Sequence, residues 1–245
     1  TLQDNNFPAS FIDIDGDPST FMSSSDSLAL PACSQLTKAY LFWGASGATT
    51  PSFTTCKMKV NNGSYQTITA LASQTNNVGF DTYHCYADVT SLLQSGGVNS
   101  RVTVANINSS ATGINNKFGS WCIAVVYKND LKTMRQLTIF KGLANVSGAA
   151  TIVNVPISGF LTPLTGPVSL EVGLYVHDGD RGLTGDNLNF KGAASFVALT
   201  DAVNGSNDVM NSTVSYNGTL TPYRYPSMNN TAGLDADIYV PNNAT

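Results

Sequence analysis

Residues 86–104 read Tyr-Ala-Asp-Val-Thr-Ser-Leu-Leu-Gln-Ser-Gly-Gly-Val-Asn-Ser-Arg-Val-Thr-Val. The order is strand, one helical turn, reversal and returning strand. Asp88 closes the first strand, and its carboxylate is placed to cap a short turn over residues 89–93. Leu92 and Leu93 then fold back onto a core. Gly96 and Gly97 supply the reversal through positive φ, and a strand resumes over 101–104. A corner of this kind joins strands of a sandwich, so the stretch predicts an all-β fold.

The rest of the chain follows the same grammar. Short β-branched or aromatic runs alternate with Gly, Asn, Ser and Pro clusters, and helical periodicity is nearly absent. Strands are predicted over 38–43, 56–60, 65–70, 81–87, 101–107, 121–127, 136–140, 151–157, 168–176, 195–199 and 238–240. Such spacing indicates a jelly-roll-like β-sandwich. A boundary falls within 141–150, which divides the chain into a sandwich over 1–142 and a second β-rich region over 143–245. The second region is either a sandwich of its own, packed on the first, or the other half of one large one.

Composition narrows the function classes. Charged residues make up 11% of the 245, well under the roughly 25% of an ordinary domain. Asn, Ser, Thr and Gly take their place, a surface chemistry common outside the cell. The net charge of −4, with lysines and arginines scattered singly, offers no handle for nucleic acid. No apolar run approaches the ~20 residues that span a bilayer, so membrane insertion is not expected. Cys33, Cys56, Cys85 and Cys122 contain no CxxC pair, which argues against zinc. An even count in such a chain predicts two disulfides in a secreted protein, with three connectivities open. Eight Asn-x-Ser/Thr sequons are a by-product of the same composition.

Two acidic groups are candidate calcium sites. Asp13-Ile-Asp-Gly-Asp sets Asp13, Asp15 and Asp17 at alternate positions around Gly16, as the opening of an EF-hand-like loop does, although no Glu follows at the twelfth position. Asp178, Asp180 and Asp186 form the second group, with Asp235 and Asp237 able to join it in space. The competing reading has these aspartates capping turns or pairing with Arg181. Tyr216, Tyr223 and Tyr225, beside Arg224, are candidates for an exposed recognition patch, because flat amphipathic rings stack on sugar faces. Trp43 and Trp121 fall within strand patterns and are expected in the core. His84 and His177 are the only histidines. His177, next to Asp178 and Asp180, invites a general-base role, but no GxSxG elbow supplies a nucleophile. Glu171 is the only glutamate, which leaves no paired-glutamate arrangement for glycoside hydrolysis.

The corner at 86–104 resembles the Asp-Val-Thr, Leu-Leu, Gly, Asn corner of galactose-binding-type jelly rolls. A longer succession is similar to a domain of large secreted surface proteins of Bacteroidota, of the gliding-motility-associated adhesin type exported by type IX secretion. It comprises Leu-Pro-Ala-Cys-Ser-Gln-Leu-Thr-Lys-Ala-Tyr-Leu-Phe-Trp-Gly (30–44), the corner, and Gly-Ser-Trp-Cys-Ile-Ala-Val-Val-Tyr-Lys-Asn (119–129). Then come Gly-Asp-Arg-Gly-Leu-Thr-Gly-Asp-Asn-Leu (179–188), Asn-Ser-Thr-Val-Ser (211–215) and Asn-Thr-Ala-Gly-Leu-Asp-Ala-Asp-Ile (230–238). The resemblance covers nearly the whole chain. It implies display on the bacterial cell surface and adhesion, without catalytic residues, and partners that are a glycan or other surface ligand and other segments of the same surface protein. The family pattern carries a further strand after 241–245, so the chain is expected to be a fragment or to take that strand from another segment. The rival expectations are a carbohydrate-binding accessory domain of a secreted hydrolase and a self-assembling surface-filament subunit.

Overall fold

The computed structural model describes residues 7–47, 52–76, 81–109, 117–146, 148, 151–162, 164–191 and 195–241. The first part of the chain runs β1 (Ser23–Ala29), β2 (Gln35–Ser46), β3 (Thr55–Val60), β4 (Gln66–Thr69), β5 (Ala72–Asn76) and β6 (Thr82–Asp88). Helix α1 (Thr90–Gly96), β7 (Asn99–Ala105) and β8 (Gly119–Lys128) follow. The second part holds β9 (Val172–His177), β10 (Asn189–Lys191), β11 (Phe196–Ala198), β12 (Val214–Tyr216), β13 (Thr219–Leu220) and β14 (Leu234–Tyr239). The fold is all-β, with one short helix among the described residues.

Sheet one has the order β1-β7-β3-β4 and sheet two the order β5-β6-β2-β8, both antiparallel. Their facing sides form one core around Leu41, Trp43, Met58, Tyr83, Leu93 and Val104. Alternation in β3 sets this face: Cys56, Met58 and Val60 are buried while Lys57 and Lys59 turn outward. Trp43 is fully buried and its indole N–H donates to the Phe53 carbonyl at 3.1 Å. Trp121 packs at the rim of the same core and donates to Ser24 Oγ at 2.8 Å. Both pairings satisfy a donor that burial would otherwise leave unpaired.

The corner forms as its residues require, with one change. Asp88 Oδ1 accepts the Thr90 N–H at 2.9 Å and so holds the entry to α1, and Leu93 is fully buried. Gly97 takes φ +82, whereas Gly96 does not adopt positive φ. Gly96 is needed instead for close approach, since a Cβ there would lie 2.1 Å from Val60 Cγ1.

Sheet two is covered on both faces along the second half of β2. Phe42, Gly44, His84, Tyr86, Ser120 and Cys122 lie on the face away from the first core, by the register of β2 with β6 and β8. The third sheet, order β13-β12-β14-β9, includes a parallel β12–β14 pair. It places Tyr175 and His177 against that outer face. The six residues from Leu41 to Ser46 are therefore all buried, and polar/apolar alternation is lost there. A strand buried on both faces reads this way.

Two predicted strands do not form. Residues 136–140 and 151–157 lie outside every described sheet, with their side chains exposed. Their β-branched content suits a strand, but a strand exists only with a neighbour to complete its ladder. The disulfide expectation is corrected as well, since all four cysteines are free. Cys33 is exposed in a turn with φ +63, and Cys122 sits on the opposite face of sheet two from Cys85. Cys56 and Cys85 share the core, yet the Cys85 thiol is directed at the Phe53 carbonyl, 3.6 Å away. Burial pushes the Cys85 thiol up to about 12 and Cys122 to about 11, so both stay protonated and unreactive.

Candidate functional site

The third sheet and the loop before it bury a run of polar side chains, among them Asn204, Thr213, Ser215, Asp235 and Asp237. Asp235, Asp237 and Tyr239 occupy alternate positions of β14, share one face and are buried. The other face of the sheet carries Tyr175 and His177. Asp235 Oδ1 accepts the Thr213 N–H at 3.2 Å, and Asp237 Oδ1 accepts the Ser215 hydroxyl at 2.6 Å. Asn204 donates to that same hydroxyl at 3.0 Å, and Asn211 Oδ1 accepts the Thr213 hydroxyl at 2.7 Å. Asp235 Oδ2, Asp237 Oδ2 and the Tyr239 hydroxyl have no partner among the described residues.

Burial pushes the Asp235 carboxyl up to about 8, against the opposing pull of the Thr213 N–H. Burial likewise lifts Asp237 to about 6, despite the Ser215 hydroxyl. An ionised carboxylate removed from water is costly unless it is paired, so burial favours the protonated form of both.

The other acids of this group divide. Asp186 Oδ1 accepts the N–H groups of Val209 and Met210 at 2.8 and 2.7 Å, which ties the loop over β14. Gly179 packs so closely on β14 that a Cβ would lie 2.0 Å from Asp235 Oδ2, so the backbone at this one residue meets Asp235. Asp178 adopts φ +67 and its N–H donates to the Gly233 carbonyl at 2.6 Å. The Asp180 carbonyl accepts from Leu183. Arg181 donates to the Asn229 carbonyl at 2.8 Å. Asp201, which the sequence reading passed over, caps the turn at Val203 and Asn204, each at 2.9 Å. An Asp three residues before Asn-Gly was the available signal for it.

At the other end of the chain, Gly16 takes φ +59 and the Asp13–Asp17 loop closes as read. Its carboxylates meet protein groups. Asp15 Oδ2 accepts from Lys59 and from the Tyr65 hydroxyl at 2.8 Å, and Ser23 Oγ donates to Asp13 Oδ1 at 2.8 Å. Asp17 caps Ser19 at 2.8 Å. Partial burial would raise Asp15, but Lys59, Tyr65 and Ser23 together hold it far below the usual carboxylate range. Among the described residues, no three His, Cys, Asp or Glu side chains are grouped as metal ligands.

The tyrosines fall into two places. Tyr216 is exposed at the turn of the β12–β13 hairpin, and Tyr223 and Tyr225 follow its other end. Tyr223 is 83% exposed and Tyr225 55%. The loop between them is held from inside. Arg224 donates to the carbonyls of Thr221 and Met228 at 3.1 and 2.5 Å, and Ser227 Oγ donates to Pro222 at 2.6 Å. Ser25 of β1 and Tyr225 exchange backbone hydrogen bonds of 2.8 and 2.6 Å, which fastens the loop to the first sandwich. Arg224 is thus a positioning residue for the rings on either side.

His177 does find a hydroxyl. Ser120 Oγ lies 2.9 Å from its Nδ1, and Nε2 is enclosed against Gly44 without a partner among the described residues. Burial, with His84 beside it, pushes His177 down to about 3. A histidine in that state is a poor proton acceptor at neutral pH. The pair joins β8 to β9, which linear spacing gave no means of seeing.

No protein-family model, curated protein or solved structure matches this chain.

Proposed function

We propose that this chain is a non-catalytic adhesive module of a secreted bacterial cell-surface protein, contacting a glycan through Tyr223 and Tyr225. The observation that carries the reading is the pair of exposed rings on a loop whose own hydrogen bonds are internal. Large exposed aromatics mark contact surfaces. A loop already fastened to β1 gives up little conformational entropy on binding, which is how preorganisation raises affinity. The resemblance of 30–44, 119–129, 179–188 and 230–238 to gliding-motility-associated adhesins supports surface display in the same direction. Calcium belongs to this reading at Asp235 and Asp237, whose free Oδ2 atoms are hard donors inside the third sheet. A glycan array with the wild-type chain and Tyr223→Ala tests the proposal. A defined sugar preference lost in the variant supports it, and uniform silence of the wild type overturns it.

A further inference from the structure

Residues 131–146 and 151–162 lie between β8 and β9 and outside every described sheet. Met134 is 94% exposed, Leu161 84% and Ile152 82%, with Leu131, Leu137 and Val155 also in water. The two halves meet each other. The Leu161 N–H donates to Gln136 Oε1 at 2.6 Å, and Leu137, Phe160 and Leu161 line one groove. A lone exposed leucine needs no explanation, but apolar side chains gathered in this number mark a contact surface.

Charge narrows what that surface meets. Lys132, Arg135 and Lys141 lie between 131 and 170, and no Asp or Glu does. The stretch therefore carries +3 and the remainder of the chain −7. Among the described residues none of the three cations is in an ion pair. Arg135 donates to the Ser169 hydroxyl at 2.6 Å, and Lys141 meets the Tyr86 hydroxyl and ring, neutral groups that leave both charges in place. Asp130, the acid just before the stretch, pairs instead with Lys128 at 3.1 Å.

Three kinds of partner fare differently against these facts. A second copy docked through the same surface would set +3 against +3, which repels. Elsewhere on that copy, Asp15, Asp88 and Asp130 are already paired with lysines, and Asp235 and Asp237 are buried. A soluble polyanion would engage the cations but leave Met134, Ile152 and Leu161 in water. An anionic lipid surface engages both, because its headgroups attract the cations while the acyl boundary takes up apolar side chains. The negative remainder is repelled, and charges more than about 8 Å from the surface are largely screened at physiological salt, so the stretch approaches first. Peptide groups outside any ladder cannot enter hydrocarbon, which keeps this contact at headgroup depth.

We propose that residues 131–146 and 151–162 dock on an anionic lipid surface, with Lys132, Arg135 and Lys141 at the headgroups and Met134, Ile152 and Leu161 in the acyl boundary. The inference goes beyond the adhesive reading and does not depend on it.

Flotation of the full chain with vesicles of phosphatidylcholine alone, and of phosphatidylcholine mixed with phosphatidylglycerol, tests it. The wild type is expected to partition about a hundredfold more strongly onto the anionic vesicles and to lose that preference as salt rises. Lys132→Glu is expected to weaken partitioning about tenfold or more, and Met134→Ser/Leu161→Ser by about the same factor, each with unchanged circular dichroism. Equal partitioning onto both vesicles, or none onto either, overturns the proposal. So does a double variant that partitions as the wild type does, which would leave attraction to a polyanion alone. A chain that self-associates through this stretch and does not float overturns it too.

Discussion

The hydroxyl of Ser120 on β8 lies 2.9 Å from Nδ1 of His177 on β9, and this contact crosses from the second sheet to the third. His177 also stacks on Phe118, with ring centroids 5.3 Å apart, and packs edge-on to Tyr175 at 4.8 Å. The third sheet is therefore seated on an aromatic layer whose histidine must stay neutral.

That requirement predicts acid sensitivity. Burial lowers His177 from its ordinary 6.5 to about 3. Between those values the unfolded chain binds the proton and the folded chain does not, so the contribution is complete above 6.5 and is lost as pH falls. Urea unfolding across this window is expected to show a shallower acid loss for His177→Phe than for the wild type. Equal slopes would remove the histidine from the account.

The carboxyls of β14 predict the opposite sign. Asp235 rises from 3.8 to about 8 and Asp237 from 3.8 to about 6, chiefly through burial. Here the folded chain holds the extra protons, so stability is complete below 3.8 and is lost as pH rises through about 6 and then about 8. In chelator, Asp235→Asn is expected to flatten the alkaline side of the profile. A wild-type stability that climbs with pH over this range would contradict the assignment.

Calcium has its own readout. Millimolar calcium is expected to raise Tm at mildly alkaline pH, where Asp235 and Asp237 ionise, and Asp237→Asn is expected to abolish the rise. Asp15→Asn, whose carboxylate already accepts from Lys59 and Tyr65, is expected to keep it. An identical Tm in calcium and chelator would remove the ion from the third sheet.

Gly44 tests the seating of the third sheet directly. A Cβ at Gly44 would lie 2.5 Å from the Tyr83 carbonyl and 2.8 Å from His177 Nε2. Gly44→Ala is expected to cost about 1–3 kcal/mol in urea, as overpacking does. His177→Ala, combined with it, is expected to recover part of the loss by vacating one of the two contacts. An additive double variant would show that the ring is not what the methyl meets.

The corner offers a control far from the third sheet. Leu93 is fully buried, and Leu93→Ala is expected to cost about 2–5 kcal/mol through lost burial and the cavity left behind. A loss below 1 kcal/mol would mean that the site collapses onto the gap.

Local chemistry made the corner and the strand-rich first part legible. Asp88, the Leu92–Leu93 pair and Gly97 act within a few residues of one another, and period-two burial in β3 follows from its own side chains. Residues 136–140 carry the same local signals without forming a strand, because a ladder needs a neighbour that no local pattern specifies. The acids were legible as a group, but their division into caps and buried oxygens without a partner among the described residues was not. Asp186 caps Val209 and Met210 from 23 and 24 residues away, and Asp235 meets Thr213 from 22.

The sequence alone determined the all-β class and the corner, since each depends on composition or on neighbours along the chain, and it marked Trp43 for the core and Tyr216, Tyr223 and Tyr225 as candidates for an exposed patch. Only the tertiary structure decided that four cysteines stay free, that Leu41–Ser46 of β2 is buried on both faces, and that His177 meets Ser120. Those depend on which distant surfaces come into contact, and contact at long range is set by packing, not by spacing along the backbone.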